Sequence, residues 1–185
     1  MTWLLCMGDS LTASVYPYYL RCLLQQEQQP PRVITLAKKG YGSRRYLRYT
    51  LSHLPLWQTV FSGTVLLMLG TNDVRRGFNY NTTKGFYRHM DKLVGHILAA
   101  GFTLIISLVP PVQAAAWPEF SSRSRRRIVS EINPAIRSLA KQHHLPLVDN
   151  YTPLQHTAFP DGVHPDDQGC RLIAQNWHQR LKGRP

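Results

Sequence analysis

Short apolar runs and longer amphipathic segments alternate along the chain. Trp3–Met7, Arg32–Leu36, Thr64–Leu69, Phe102–Leu108 and Pro146–Val148 are each of strand length and rich in Leu or β-branched residues. Between them and after the last, Tyr16–Gln28, Arg44–Leu54, Thr83–Ala100, Ser124–His143 and Pro165–Leu181 carry apolar residues at helical spacing. Local punctuation agrees. Asn81 or Thr82 can cap the third helix and Gly101 close it. Asn133-Pro134 should split the fourth near Asn133, because proline has no amide hydrogen and crowds the preceding turn. Val65-Leu66-Leu67-Met68-Leu69 and Leu104-Ile105-Ile106 are apolar without alternation, as central strands covered on both faces are. Five βα units therefore predict a three-layer α/β/α sandwich around a five-stranded parallel sheet. No repeat or linker interrupts the pattern, and 185 residues suit a single domain, 1–185.

Ligands of such sheets bind at the carboxyl ends of the strands, so the loops that follow the strands should share one edge. Those loops are Asp9-Ser10-Leu11-Thr12, Lys39-Gly40-Tyr41-Gly42-Ser43, Gly70-Thr71-Asn72-Asp73, Val109-Pro110-Pro111 and Asp161-Gly162-Val163-His164-Pro165. They offer a hydroxyl, backbone amides, a side-chain amide, and a carboxylate beside an imidazole, the groups that acyl transfer requires. A serine hydroxyl attacks only when a base takes its proton, and His164 is the candidate base for Ser10. Asp161, three residues before His164, can reach Nδ1 and hold Nε2 toward Ser10. The Ser10 and Gly40 amides and the Asn72 side chain are the candidate oxyanion donors.

On these residues the sequence resembles the SGNH (GDSL-type) hydrolase superfamily over nearly its whole length. The blocks are Gly8-Asp9-Ser10-Leu11, Gly40, Gly70-Thr71-Asn72-Asp73 and Asp161-Gly162-Val163-His164. The resemblance implies a flavodoxin-like sheet, ester hydrolysis by a Ser10–His164–Asp161 triad, and neither metal nor other cofactor. Similar proteins have Gly-X-Thr-Ser in the second block, so Gly40 aligns with the leading glycine and Gly42 replaces the threonine; either glycine could supply the amide.

Plainer roles exist for the same residues. Ser10 could cap a helix, Asn72 could serve a turn, and Asp161 and His164 could cap a last helix begun by Pro165. Asp9 is expected to hold the nucleophile loop through backbone hydrogen bonds and is not cast as the base. Cys6 belongs to the core, and His143-His144 reads as a surface pair at a helix end.

Charge adds a question of partner. Twenty-two Lys and Arg against ten Asp and Glu give a formal +12, which favours anionic partners. Tyr41, Arg44, Arg75 and Arg76 flank the oxyanion loops and are the candidate substrate-binding residues, suited to an anionic or carbohydrate ester. Arg123, Arg125, Arg126 and Arg127 form the densest cluster, read as a solvated helix face or a contact for an anionic surface. Nucleic acid is disfavoured, since no base-stacking motif accompanies them. Three cysteines without metal-type spacing, no basic leader region and no apolar stretch of membrane-spanning length point to a cytoplasmic setting without a transmembrane segment. A leader cleaved from a longer precursor is the alternative. The expected activity is hydrolysis of a carboxylic ester, with short acyl groups such as acetate favoured. Acyl transfer to another hydroxyl, or an idle binding protein for an acidic glycan or lipid, are the competing readings.

Overall fold

The computed structural model describes residues 2–75, 81–113 and 119–183. Five strands, β1 (Trp3–Gly8), β2 (Arg32–Ala37), β3 (Gly63–Met68), β4 (Thr103–Ser107) and β5 (Leu147–Val148), lie in the order β2-β1-β3-β4-β5. Every pairing is parallel, with Leu5 of β1 aligned between Ile34 and Val65. Helices α1 (Tyr16–Leu24) and α6 (Asp167–Lys182) cover one face. The other carries α2 (Ser43–Val60), α3 (Thr83–Ala99) and α5 (Asn133–Gln142), which α4 (Ser122–Arg127) precedes.

Successive residues of a strand point to opposite faces, and here both faces are apolar. Leu4, Cys6, Leu66, Met68 and Ile105 pack toward Tyr16, Leu20 and Trp177. Leu5, Met7, Val65, Leu67, Leu104 and Ile106 pack toward Tyr46, Phe86, Leu93 and Ile136. Each such side chain contributes about 1.5–3 kcal/mol on leaving water. The central strands are thus fixed from both sides, and all strand ends stand at one edge.

Element ends depart from the periodic pattern where tertiary packing decides. Helix α2 runs past Leu54 and Pro55 to Val60. Buried Trp57 anchors the last turns, while the carbonyl that Pro55 deprives of a partner belongs to Leu51, on the exposed side. Helix α1 stops at Leu24, short of Gln28. The expected split near Asn133 takes the form of a π-helical turn, Ile128–Ile132, after which α5 starts with Pro134 in its first turn. An extra residue in the turn accommodates a proline that cannot donate. Asn133 itself is buried and clamps the loop after β4, accepting from the Val109 amide at 2.9 Å and donating to the Val109 carbonyl at 3.1 Å. Helix α6 begins at Asp167, with Asp166 as its cap accepting from the Gly169 amide at 2.8 Å. Pro165 therefore does not start it.

A buried polar knot holds the loops after β2 and β3. Both Asp73 carboxylate oxygens accept from the Ser43 amide, at 3.1 and 2.9 Å; one also accepts from the Ser43 hydroxyl and from Asn81 Nδ2, each at 2.6 Å. Asn81 is thereby committed to Asp73, and Thr82 caps α3 by accepting from the Gly85 amide at 3.1 Å.

Arg127 completes the knot, which corrects its assignment to a solvated or anion-binding cluster. It is only 4% exposed. Its guanidinium donates to the carbonyls of Asp73 and Asn81, at 3.2 and 2.5 Å, and to Glu131 at 2.8 Å. Beside it, the Ser124 hydroxyl donates to the Val74 carbonyl at 2.9 Å. Arg123, Arg125 and Arg126 are exposed. A charge run thus hides one arginine whose donors are consumed by the backbone of a neighbouring loop.

Arg127→Ala, which strands buried acceptors, is expected to lower the unfolding free energy by about 3 kcal/mol in urea titration. Arg126→Ala, on the exposed side, should change it by less than about 0.5 kcal/mol. Two buried carboxyls set a pH dependence as well. Burial pushes Asp73 up to about 6, although Ser43, Asn81 and Arg127 oppose it. Burial likewise pushes Asp9 up to about 7, against the Leu11 amide that favours its charged form. Carboxyls raised in the folded state bind more protons there than in the unfolded chain. Their stabilisation is full below about pH 4 and is lost as pH rises toward 7. His89, whose imidazole burial and cations hold below its ordinary value, acts in the opposite sense. Comparing wild type with Asp9→Asn isolates the carboxyl: the melting temperature of the variant should fall less steeply from pH 5 to pH 7.5, and parallel slopes would contradict the assignment.

Candidate active site

Strand β1 ends at Gly8, where a β-carbon would stand 2.1 Å from the Met68 carbonyl oxygen of β3. Only glycine fits that approach. The Gly8 amide donates to the buried Tyr46 hydroxyl at 3.1 Å, and that hydroxyl donates in turn to the Leu36 carbonyl, tying β1, β2 and α2 at the edge. The chain then tightens into a turn. Asp9, 1% exposed, accepts from the Leu11 amide at 3.0 Å, and its carbonyl accepts from the Ala13 amide at 3.0 Å. Ser10 stands half-buried at its mouth. It caps no helix, since α1 begins only at Tyr16.

The Asp161 carboxylate divides its two oxygens between backbone and ring. Oδ1 accepts from the amides of Val163 and His164 at 2.9 and 2.7 Å, closing the loop on itself. Oδ2 lies 2.6 Å from His164 Nδ1. Partial burial works against the Asp161 charge. The hydrogen bonds from the His164 amide and ring and the Val163 amide outweigh it and hold the carboxyl below its ordinary range. With an ionised carboxylate at Nδ1, the ring proton belongs there, and Nε2 is the acceptor. Nε2 lies 2.8 Å from Ser10 Oγ. The two residues organise their own turn and do not cap α6, whose cap is Asp166.

Gly40 and Asn72 complete the same mouth. Gly40 has φ +73° in the turn that the Tyr41 amide closes on the Lys38 carbonyl at 3.2 Å, a backbone state that favours glycine. Gly42, in contrast, precedes α2 and backs onto Asp73, where a β-carbon would meet the carboxylate at 3.3 Å. Asn72 is 5% exposed in the 3₁₀ turn Thr71–Val74. Its Nδ2 donates to Asp9 Oδ2 and to the Tyr41 carbonyl, both at 3.3 Å. The amide is thus oriented by the aspartate beside Ser10, a contact that no local sequence pattern signals.

Ser10, Gly40, Asn72 and His164 line one cleft of about 400 Å³, together with Ala13, Ser14, Lys39, Arg75, Phe120 and Val163. Of the proposed substrate-binding residues, Arg75 lines it, and its guanidinium is paired with Glu119 at 3.0 Å. Tyr41 and Arg44 do not. The Tyr41 ring lies beneath the Arg45 guanidinium at 4.3 Å and beside Tyr49, and Arg44 points to solvent at the start of α2. Arg76 lies outside the described residues. Lys39, placed at the edge by its loop but given no role, and Phe120, far from any motif, are further cleft residues: neither a lysine of the Lys38-Lys39 pair nor an isolated phenylalanine carries a signal until the fold assembles them. Among the described residues, no cluster of His, Cys, Asp and Glu could hold a metal, and no helix is long and apolar enough to cross a membrane.

Comparison with known proteins agrees with this architecture. No curated protein sequence matches the chain. Among solved structures, a lipase/acylhydrolase from Enterococcus faecalis superposes with a TM-score of 0.84 at 20% identity, over 99% of this chain and 96% of that one. An acetylxylan esterase from Geobacillus stearothermophilus, solved as a catalytic mutant, gives 0.81 at 18% identity over 97% and 94%. A psychrotrophic esterase from Pseudoalteromonas sp., inhibited by monoethylphosphonate, gives 0.74 at 19% identity over 98% and 97%. At such identities these likenesses establish the shared fold. The sequence model of the GDSL-like Lipase/Acylhydrolase family matches residues 6–172, nearly the whole chain. The chain belongs to that family and is a serine ester hydrolase.

Proposed function

We propose that Ser10 is the nucleophile, His164 the general base and acid, and Asp161 the group that orients and stabilises the imidazole. The observation that carries this is the unbroken relay from Asp161 Oδ2 to His164 Nδ1 at 2.6 Å and from Nε2 to Ser10 Oγ at 2.8 Å. Nε2 takes the hydroxyl proton as Oγ bonds the ester carbonyl carbon, and negative charge collects on the carbonyl oxygen. The amides of Ser10 and Gly40 and the Asn72 side chain receive that charge, Asn72 exchanging one of its long 3.3 Å bonds for a shorter one. Of the two glycines, Gly40 is favoured because it lines the cleft. The alcohol leaves with the proton from Nε2, giving an acyl-serine. Water, deprotonated at Nε2, then attacks the acyl carbon, and the acid departs as Ser10 regains its proton.

A short acyl group suits the cleft. Ala13, Phe120 and Val163 are the apolar side chains of its lining, and Lys39 and Arg75 are the basic ones. Arg75 carries its own carboxylate in Glu119, so Lys39 is the side chain left to meet an anionic leaving group. Acetyl esters of carbohydrates, the substrate named for the Geobacillus enzyme, are the natural first test.

Ser10→Ala should abolish turnover of p-nitrophenyl acetate, and rates should decline along a series from acetate to palmitate; rates insensitive to Ser10→Ala would exclude this nucleophile. Asn72→Ala should lower kcat by about 10²–10³ with a much smaller change in KM, the signature of a donor used in the transition state. An unchanged kcat would remove Asn72 from the oxyanion site.

A further inference from the structure

The two helical layers differ sharply in charge. On the α1–α6 layer acids stand among the cations: Arg171 pairs with Asp167 at 2.8 Å, and Glu27 lies 3.4 Å from His178. The α2–α3 surface of the opposite layer is poorer in acids. Helix α2 contains no acidic residue, and Arg44 and Arg48 are exposed along it. On α3, Lys84, Arg88 and Lys92 recur every fourth residue on the exposed side. The single α3 carboxylate, Asp91, faces α5, where it accepts from Gln142 at 2.8 Å and meets His143 at 2.7 Å.

His89 reports the resulting field. Partial burial and then Arg88, Arg44 and Lys92 hold its imidazole below the ordinary value, and no carboxylate is among the groups acting on it. Cations of two helices therefore act on one patch, and the nearest acid, Asp73, is buried behind the Ser43 hydroxyl that stands 3.3 Å from the His89 ring.

Apolar side chains share this surface. Of six large hydrophobic residues exposed among the described residues, three lie on α2: Leu51 at 40%, Leu56 at 62% and Val60 at 54%. Leu51 follows Arg48 by three positions, a neighbouring place on a helix. Basic side chains interspersed with leucines fit a surface that presents anionic headgroups over hydrocarbon. They fit nucleic acid poorly. The α2 rings pack on one another, Tyr46 on Tyr49 and Tyr49 on Trp57, and the Tyr87 hydroxyl of α3 is bonded to Gln142, which leaves no ring free to stack on a base.

We propose that the α2–α3 face docks the protein onto an anionic phospholipid membrane, with Arg44, Arg48, Arg88 and Lys92 meeting the headgroups and Leu51 and Leu56 entering the interface. Helix α2 starts directly after the Gly40 loop, so docking on this face sets the cleft at the edge of the contact. The surface is separate from the candidate catalytic residues, and the docking is independent of the reaction proposed for them.

Co-sedimentation with vesicles tests the proposal, with circular dichroism and melting curves establishing that each variant is folded. Wild type should bind vesicles of equimolar phosphatidylglycerol and phosphatidylcholine and should not bind phosphatidylcholine alone. Binding should weaken as salt shortens the Debye length from about 10 Å at 0.1 M to about 3 Å at 1 M. Arg44→Glu/Arg88→Glu should weaken binding by at least about tenfold, whereas Arg125→Glu/Arg126→Glu, an equal change in net charge, should weaken it less than about threefold. Leu51→Gln/Leu56→Gln should weaken it about threefold or more at constant charge. Equal losses from the two charge pairs would mean attraction by net charge alone and would overturn the assignment of this face. So would failure to bind the phosphatidylglycerol vesicles, no effect of the leucine pair, or displacement from vesicles by double-stranded DNA at lower concentration than the lipid.

Discussion

Burial of the Asp73 carboxylate constrains the site more than any group inside the cleft. A carboxylate removed from water must be surrounded by donors, and the donors available are the Ser43 amide and hydroxyl and the Asn81 side chain. Ser43 opens α2 immediately after the Gly40 turn, and Asp73 follows Asn72. Satisfying one buried charge therefore fixes the loop that carries Gly40 against the loop that carries Asn72. Gly42 lets the backbone pass close to the carboxylate, which gives the departure from Gly-X-Thr-Ser a physical reason: a β-carbon there would press on Asp73 at 3.3 Å.

The same demand explains Arg127. The carbonyls of Asp73 and Asn81 bound the segment between β3 and α3, and a buried guanidinium is the side chain that can donate to both while its positive charge favours the Asp73 carboxylate. Glu131 balances the arginine from within the same helical stretch. Stability and site geometry are therefore coupled through one polar knot. Exposed basic side chains of α2 and α3 add to the basic character of this layer, and the one carboxylate on those two helices, Asp91, is engaged with Gln142 and His143.

The sheet was legible in the sequence because its signal is local and redundant. Each central strand is an uninterrupted apolar run such as Val65–Leu69, and a parallel sheet buried on both faces allows nothing else. The meeting of the candidate site residues was legible for a related reason: residues after successive strands must share an edge, so Ser10, Asn72, Asp161 and His164 fall together. Other features depend on partners distant in sequence. Arg127 sits in Arg123-Ser124-Arg125-Arg126-Arg127, where nothing local distinguishes the buried member from its neighbours. Pro55 carries a strong local stop signal, yet Trp57 packing two residues later carries α2 through it. Lys39 and Phe120 enter the cleft through loop conformations that no periodicity encodes, whereas Tyr41 and Arg44, closer to the motif, turn away.

The candidate relay joins two units of different origin. Asp161 and His164 need only each other and three intervening bonds: one carboxylate oxygen fixes the backbone turn and the other fixes the ring. That unit is specified by spacing within four residues. Ser10 comes from the opposite end of the chain, delivered by β1 and the turn that Asp9 holds, and meets His164 across 154 residues. Asp9 makes this meeting more than a matter of one loop, since its second oxygen accepts from Asn72. Displacing Asp9 would shift the serine turn and the amide that faces it together. The turn that carries the proposed nucleophile and the side chain of one proposed oxyanion donor are thus tied to opposite oxygens of a single buried carboxyl.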